Sequence, residues 1–70
     1  MRRLVKRSIN LAGHATSVAL EPEFWAALDD LAGADAIPLS ALIARIDAER
    51  DGQPLASASR LAALAFVARR

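Results

Sequence analysis

The stretch TSVALEPEFW, residues 16–25, joins an alternating segment directly to a helix start. Val18 and Leu20 alternate with small side chains, a pattern typical of a short β-strand that buries one face. Pro22 suits the first position of a helix, and the glutamates on either side of it favour the positive end of a helix dipole. The stretch therefore predicts a single strand, at about residues 15–20, that leads straight into a helix.

One short strand cannot satisfy its own edge hydrogen bonds or form a sheet alone. We expect it to pair with the same strand of a second subunit, so the chain is predicted to form a homodimer. A weaker alternation at residues 8–11, followed by a turn at residues 12–14, leaves open whether this segment adds a second strand.

The first helix is predicted to bury a stripe of apolar side chains formed by Phe24, Leu28 and Leu31, which recur at helical spacing. Leu20 and Trp25 stand at the two positions of a hydrophobic staple, in which the residue before the N-cap packs against the fourth helical residue. Such a staple sets the angle at which the strand enters the helix.

Apolar periodicity predicts helices at about residues 22–33, 38–50 and 55–69, with Pro38 at the start of the second. The third helix is apolar nearly all round, which favours burial on more than one side and again indicates a partner subunit. The predicted core of the dimer consists of Val18, Leu20, Phe24, Leu28, Leu31, Leu39, Leu42, Ile43, Ile46, Leu61 and Leu64.

Seventy residues make one small domain, of a size at which oligomerisation is a common source of stability. The chain has no Cys, which excludes disulfides and thiolate metal sites, and its only His has no Asp or Cys partner at a useful spacing. No apolar run approaches the ~20 residues that span a bilayer, and no secretory signal is evident. We expect a cytoplasmic protein with no membrane contact, no metal, no cofactor and no enzymatic activity.

Charge is segregated along the chain. Residues 1–20 carry four basic side chains and no acid, residues 21–51 carry all eight acids against two arginines, and residues 52–70 carry three arginines and no acid. Residues 1–7 are predicted to be a flexible basic arm that seeks phosphate or an acidic protein surface, and residues 8–70 to form the folded domain. The alternative is that the arm only solubilises a frayed terminus.

The order of strand, helix, turn and helix resembles the ribbon-helix-helix family, specifically a bacterial subfamily of short proteins with an added C-terminal helix. The resemblance rests on KRSI (6–9), AGH (12–14), TSV (16–18), LEPEFW (20–25), residues 39–47 and SASRL (57–61). It implies a mainly α fold with one short strand per chain, in an intertwined homodimer whose two strands form an antiparallel ribbon.

The resemblance also implies a transcription regulator that lays its ribbon in the major groove of double-stranded DNA. Carried onto this chain, the base-reading positions are Ala15, Ser17 and Ala19, and the phosphate anchor is the first turn of the second helix at Pro38 to Ser40. With the basic arm and two flanking residues added, the predicted DNA-binding set is Arg2, Arg3, Lys6, Arg7, Asn10, His14, Ala15, Ser17, Ala19 and Ser40.

Two departures from the family pattern favour a second function. Of the three base-reading positions only Ser17 has a hydrogen-bonding side chain, and Pro38 replaces a Ser or Thr that would donate to phosphate. The alternative is therefore a dimer used as a protein-interaction module, with Trp25, Phe66 and Val67 lining an exposed apolar patch.

Overall fold

The structure, a computed structural model, describes residues 3–69. A β-hairpin lies against three helices: β1 contacts the second helix, β2 contacts the third, and the first helix packs against both others. In chain order the elements are β1 (Val5–Leu11), β2 (His14–Leu20), α1 (Pro22–Ala34), α2 (Leu39–Glu49) and α3 (Leu55–Ala68).

The prediction of one strand per chain is wrong, because β1 and β2 pair within the same chain as an antiparallel hairpin. Ala12 and Gly13 form its turn with φ of +52° and +84°. These angles fit a type I′ turn, whose twist matches that of the flanking strands. The weak alternation at residues 8–11 is thus a real strand, and that strand begins earlier, at Val5.

Residues 5–7 of the predicted flexible arm belong to β1 instead. The indole Nε1 of Trp25 donates a hydrogen bond of 2.7 Å to the carbonyl oxygen of Val5, which ties the beginning of β1 to α1. Arg3 and Leu4 precede the strand and are exposed, and residues 1 and 2 of the arm lie outside the described residues.

The core contains side chains from all five elements. Most of the predicted core residues are buried within the single chain, whereas Phe24 and Leu39 are half-buried. The buried apolar residues are Ile9, Val18, Leu20, Trp25, Leu28, Leu31, Ala32, Leu42, Ile43, Ile46, Ala58 and Ala63.

Leu61 and Leu64 differ from that prediction, because their residues are 55% and 60% exposed in the single chain. α3 turns its small residues Ala58, Ser59 and Ala63 inward and leaves its larger leucines outside. Small inward side chains allow α3 to approach its neighbours closely. The two leucines face away from these neighbours, so only a contact outside the single chain would bury them.

Trp25 is buried, with 1% of its surface exposed, so its assignment to an exposed apolar patch is wrong. It is the fourth residue of α1 after the N-cap Glu21, and Leu20 precedes that cap. Both staple positions lie in the same buried cluster, as the staple predicts. Trp25 therefore takes the central place that the sequence pattern assigned to Phe24.

α1 continues one residue beyond the predicted end at Gly33 and stops in a Schellman motif. The Ile37 N–H donates to the Ala32 oxygen at 3.0 Å, and the Ala36 N–H donates to the Gly33 oxygen at 3.1 Å. Ala36 has φ of +57°, in the left-handed region that Gly usually occupies at this position.

The other helix ends lie within one residue of the predictions. α2 ends at Glu49, since Asp51 adopts φ of +51°, and α3 ends at Ala68. None of the helices formed by residues 3–69 is both long and apolar enough to cross a membrane.

Candidate nucleic-acid interface

The hairpin has two faces, because successive side chains of a strand point to opposite sides of the sheet. The inner face contains Ile9, Val18 and Leu20, which are buried against the helices. The opposite side, called here the outer face, consists of Lys6, Ser8 and Asn10 from β1 with Ala15, Ser17 and Ala19 from β2.

The register brings the outer-face residues together in three cross-strand pairs. Lys6 lies opposite Ala19, Ser8 lies opposite Ser17, and Asn10 lies opposite Ala15. All six are exposed except Ala19, which is half-buried. The three predicted base-reading positions therefore share one open face, and β1 places three polar side chains beside them.

Ser8 is a member of this face that the sequence-based set missed. The alternation of Ser8, Ile9, Asn10 and Leu11 already contained the signal, since it puts Ser8 and Asn10 on one side of a strand. That Ser8 lies opposite Ser17 follows from the pairing of β1 with β2, which the sequence pattern did not specify.

Asn10 has a second role at the turn. The backbone N–H of Gly13 donates to Asn10 Oδ1 at 3.1 Å, which orients the side-chain amide. His14, at the other side of the turn, pairs with Leu11 and is exposed. By strand alternation His14 belongs to the inner side, so it is not a member of the outer face.

Arg7 is drawn to α1 rather than to the outer face. Its Nη1 and Nη2 donate to the two carboxylate oxygens of Asp29 at 3.1 and 3.3 Å. The guanidinium carbon also lies 4.6 Å from the centroid of the Trp25 ring, a cation–π distance. Of the other predicted arm cations, Lys6 lies on the outer face, Arg3 precedes β1 and is exposed, and Arg2 lies outside the described residues.

At the predicted phosphate anchor, α2 begins at Leu39, and Pro38 is its N-cap rather than its first residue. The first intrahelical bond of the α type is donated by the Leu42 N–H to the Pro38 oxygen at 3.1 Å. Because Pro38 precedes the first turn, its missing N–H removes none of the first-turn donors. The backbone N–H groups of Leu39 and Ser40 thus remain at the helix start, and Ser40 is exposed.

A family model described as a ribbon-helix-helix domain matches residues 4–67. The chain belongs to the ribbon-helix-helix domain family. Proteins of this family are typically DNA-binding transcription regulators. No curated protein and no solved structure matches the chain.

Charge on this ribbon-helix-helix chain is arranged so that the hairpin carries no carboxylate. Residues 1–20 contain no Asp or Glu. Several acids of the helical part pair with arginines, as in Asp35 with Arg45 at 2.8 Å and Asp47 with Arg50 at 2.7 Å. A polyanion that approaches the outer face therefore meets no negatively charged side chain on the strands themselves.

α3, the third helix of the ribbon-helix-helix domain, has an exposed apolar side. Leu61, Leu64 and Val67 are 55%, 60% and 48% exposed, while Phe66 is half-buried. A groove of about 210 Å³ runs between α1 and α3, lined by Glu23, Phe24, Ala27, Ala63, Leu64 and Val67. Within residues 3–69, no three acidic or histidine side chains gather as a metal site would require.

Proposed function

We propose that this ribbon-helix-helix protein is a bacterial, cytoplasmic transcription regulator that inserts the outer face of its hairpin into the major groove of double-stranded DNA. One observation carries the proposal: the outer face is a two-stranded antiparallel ribbon with exposed polar and small side chains. The major groove of B-DNA admits a two-stranded ribbon of this kind.

Phosphate contacts would come from two places. Arg2 and Arg3 precede β1 in the sequence, and the start of α2 offers the Ser40 hydroxyl with the backbone N–H groups of the first turn. A helix N-terminus favours an anion because its N–H groups point outward and its dipole is positive there. These contacts would supply affinity independent of sequence, while the outer face supplies selectivity.

The proposed regulator acts as a homodimer. Leu61 and Leu64, which belong to the predicted dimer core, are exposed in the single chain and offer apolar surface to a second copy. Within residues 3–69 each strand of the hairpin pairs only with the other, so each has one edge without a strand partner. Unpaired edges and exposed leucines are both features that association with a second subunit would cover.

The proposal includes no enzymatic activity. Asp29, Asp35 and Asp47 each pair with an arginine near the surface, and surface ion pairs of this type are common structural features. Such paired carboxylates are poor candidates for general acid or base chemistry.

Fluorescence anisotropy with mixed-sequence duplex DNA at about 50 and 200 mM salt tests the proposal. We expect binding that weakens steeply with salt. Replacing the exposed arginine before β1, Arg3→Gln, should weaken binding and flatten the salt dependence by about one unit of slope. The matched control is Arg69→Gln, which removes an exposed arginine at the end of α3.

Absence of binding at the lower salt would reject the DNA-binding function. Equal weakening by the Arg69→Gln control would reject the assignment of phosphate contacts to the residues before β1, since a general charge effect would then explain the loss.

Light scattering tests the homodimer. Leu64→Glu should give a folded monomer, whereas Ala44→Glu, at an exposed position on α2, should leave the mass unchanged. A Leu64→Glu protein that keeps the dimeric mass would show that the exposed side of α3 is not the subunit contact.

A second candidate function is supported by the groove between α1 and α3. Its apolar lining, including Phe24 and Leu64, could receive a protein partner in a dimer that reads no DNA. Failure of DNA binding together with a dimeric Leu64→Glu protein would favour this function over the first.

A further inference from the structure

The two strands of the outer face carry different chemistry. β1 supplies Lys6, Ser8 and Asn10, all of which have hydrogen-bonding side chains. β2 supplies Ala15 and Ala19 on either side of Ser17, so its row consists of two methyl groups and one hydroxyl. Most of the hydrogen-bonding capacity of the outer face therefore lies on β1.

We infer that β1, rather than β2, reads the DNA bases, and that it reads the acceptor edges of purines. The inference rests on the proposed function and assigns the readout within the same face. Lys6 has three N–H donors and no acceptor, which matches the O6 and N7 acceptors of guanine in the major groove. Ser8 can donate to the same kind of acceptor.

Asn10 fits the purine assignment through its hydrogen bond to the turn. Because its Oδ1 already accepts the Gly13 N–H at 3.1 Å, the side-chain NH₂ group is held in one orientation with its donors unused by that bond. A donor presented in this way suits N7, the acceptor that both purines expose in the major groove.

The backbone around Lys6 is anchored on both sides. The Val5 oxygen accepts the Trp25 indole N–H at 2.7 Å, and the Arg7 side chain is held by Asp29 and the Trp25 ring. These contacts lie on the inner side, so they fix the strand without using Lys6. A reading side chain on a fixed backbone loses less entropy on binding than one on a mobile arm.

The spacing limits the length of the site. Alternate residues on a strand lie about 6.6–6.8 Å apart, so Lys6 and Asn10 span about 13–14 Å. With base pairs stacked about every 3.4 Å, one β1 strand covers no more than about four base-pair steps. The small side chains of Ala15 and Ala19 would let the ribbon lie close to the groove floor.

The first experiment is selection of bound sequences from a random duplex library by the full chain, followed by replacement of each selected guanine with 7-deazaguanine. That base lacks the N7 acceptor but still pairs with cytosine. We expect the replacement at the guanine read by Lys6 to weaken the parent protein about 5- to 150-fold, the usual range for a lost base contact. The same replacement should change the affinity of the Lys6→Met variant much less, because Met keeps a long side chain but has no donor.

Two further variants separate the strands. Ser8→Ala should relax selectivity at one position, and by more than its cross-strand counterpart Ser17→Ala. Asn10→Asp keeps an oxygen for the Gly13 N–H but replaces the NH₂ donors with acceptors, so the preference at its position should change from purine to cytosine, which offers an N4 donor.

The outcomes distinguish this inference from the proposed function. Sequence-selective binding that Ser17→Ala alters and that Lys6→Met, Ser8→Ala and Asn10→Asp leave unchanged would overturn the assignment to β1 and keep the DNA-binding function. Binding without any sequence selectivity would also overturn the assignment alone. No binding by the parent protein would reject both.

Discussion

The two faces of the hairpin share one backbone but differ in burial and in side-chain chemistry. The inner face contains Ile9, Val18 and Leu20, buried against the helices, whereas the outer face offers exposed polar and small side chains. Each face also has one lysine or arginine: Arg7 is bonded to Asp29 and stacks on Trp25, whereas Lys6 is exposed. The difference teaches that strand alternation separates the side chains that stabilise the fold from those that we propose contact DNA, so substitutions on the outer face should leave the core intact.

The largest expected effect comes from opening a cavity under the inner face. Leu20 is 0% exposed, and Leu20→Ala should lower the free energy of unfolding by about 2–5 kcal/mol through lost burial and an unfilled cavity. Urea unfolding followed by circular dichroism measures the change. The matched outer-face variant Ser17→Ala should unfold with a free energy within about 0.5 kcal/mol of the parent. Equal losses of stability in the two variants would contradict the difference between the two faces.

The next largest effect tests the contacts that hold β1 to α1. Trp25→Phe keeps a buried ring but removes the N–H that donates to the Val5 oxygen, and it weakens the stacking with Arg7. We expect a loss of about 1–2 kcal/mol in urea unfolding, typical for a hydrogen bond whose acceptor is left without its partner. Hydrogen exchange should become faster in β1, and unchanged exchange there would contradict the anchoring role.

A smaller effect, a gain in stability, is expected from removing the one buried hydroxyl in the described part of the core. Ser59 is 0% exposed, and its Oγ has no hydrogen-bond partner within residues 3–69. Ser59→Ala should therefore raise the free energy of unfolding by about 1 kcal/mol, because an unsatisfied buried hydroxyl is removed. Thermal unfolding checks the sign. A loss of stability would mean that the hydroxyl has a partner in the assembled protein.

The smallest expected effect concerns the turn, which belongs to neither face. Ala12 adopts φ of +52°, where a β-carbon is unfavourable and Asn is better tolerated. Ala12→Asn should stabilise the hairpin by about 0.5 kcal/mol and leave the DNA sequence preference as it is. A changed preference would show that the turn itself contacts DNA.

Several features of the fold could be predicted from local sequence signals. The Leu20 and Trp25 staple, the proline-opened α1 and the helix boundaries follow from residues close together in the chain. Trp25, rather than the predicted Phe24, is buried at the centre of the core. The two rings are neighbours in the sequence, and only the packing of the other elements decides which of them is buried.

The candidate site was predictable in part. Alternation within β2 correctly placed Ala15, Ser17 and Ala19 on one face. It could not show that Lys6 and Ser8 lie beside them, because the pattern of β1 was weak and a strand pattern does not name its partner. Nor could it predict that Arg7 is held against α1, because the acceptor of its hydrogen bonds is Asp29, which lies 22 positions along the chain.

The sequence by itself determined the strand-to-helix junction at residues 16–25, the positions of the three helices and most of the buried residues. Those features depend on propensity, capping and periodicity, which act over a few residues. Tertiary structure alone decided that β1 closes a hairpin on β2, that its polar side chains share the outer face, and that Trp25 and Asp29 hold its first residues. Pairing and packing join segments that are distant in the chain, and a local pattern cannot specify which distant segments will meet.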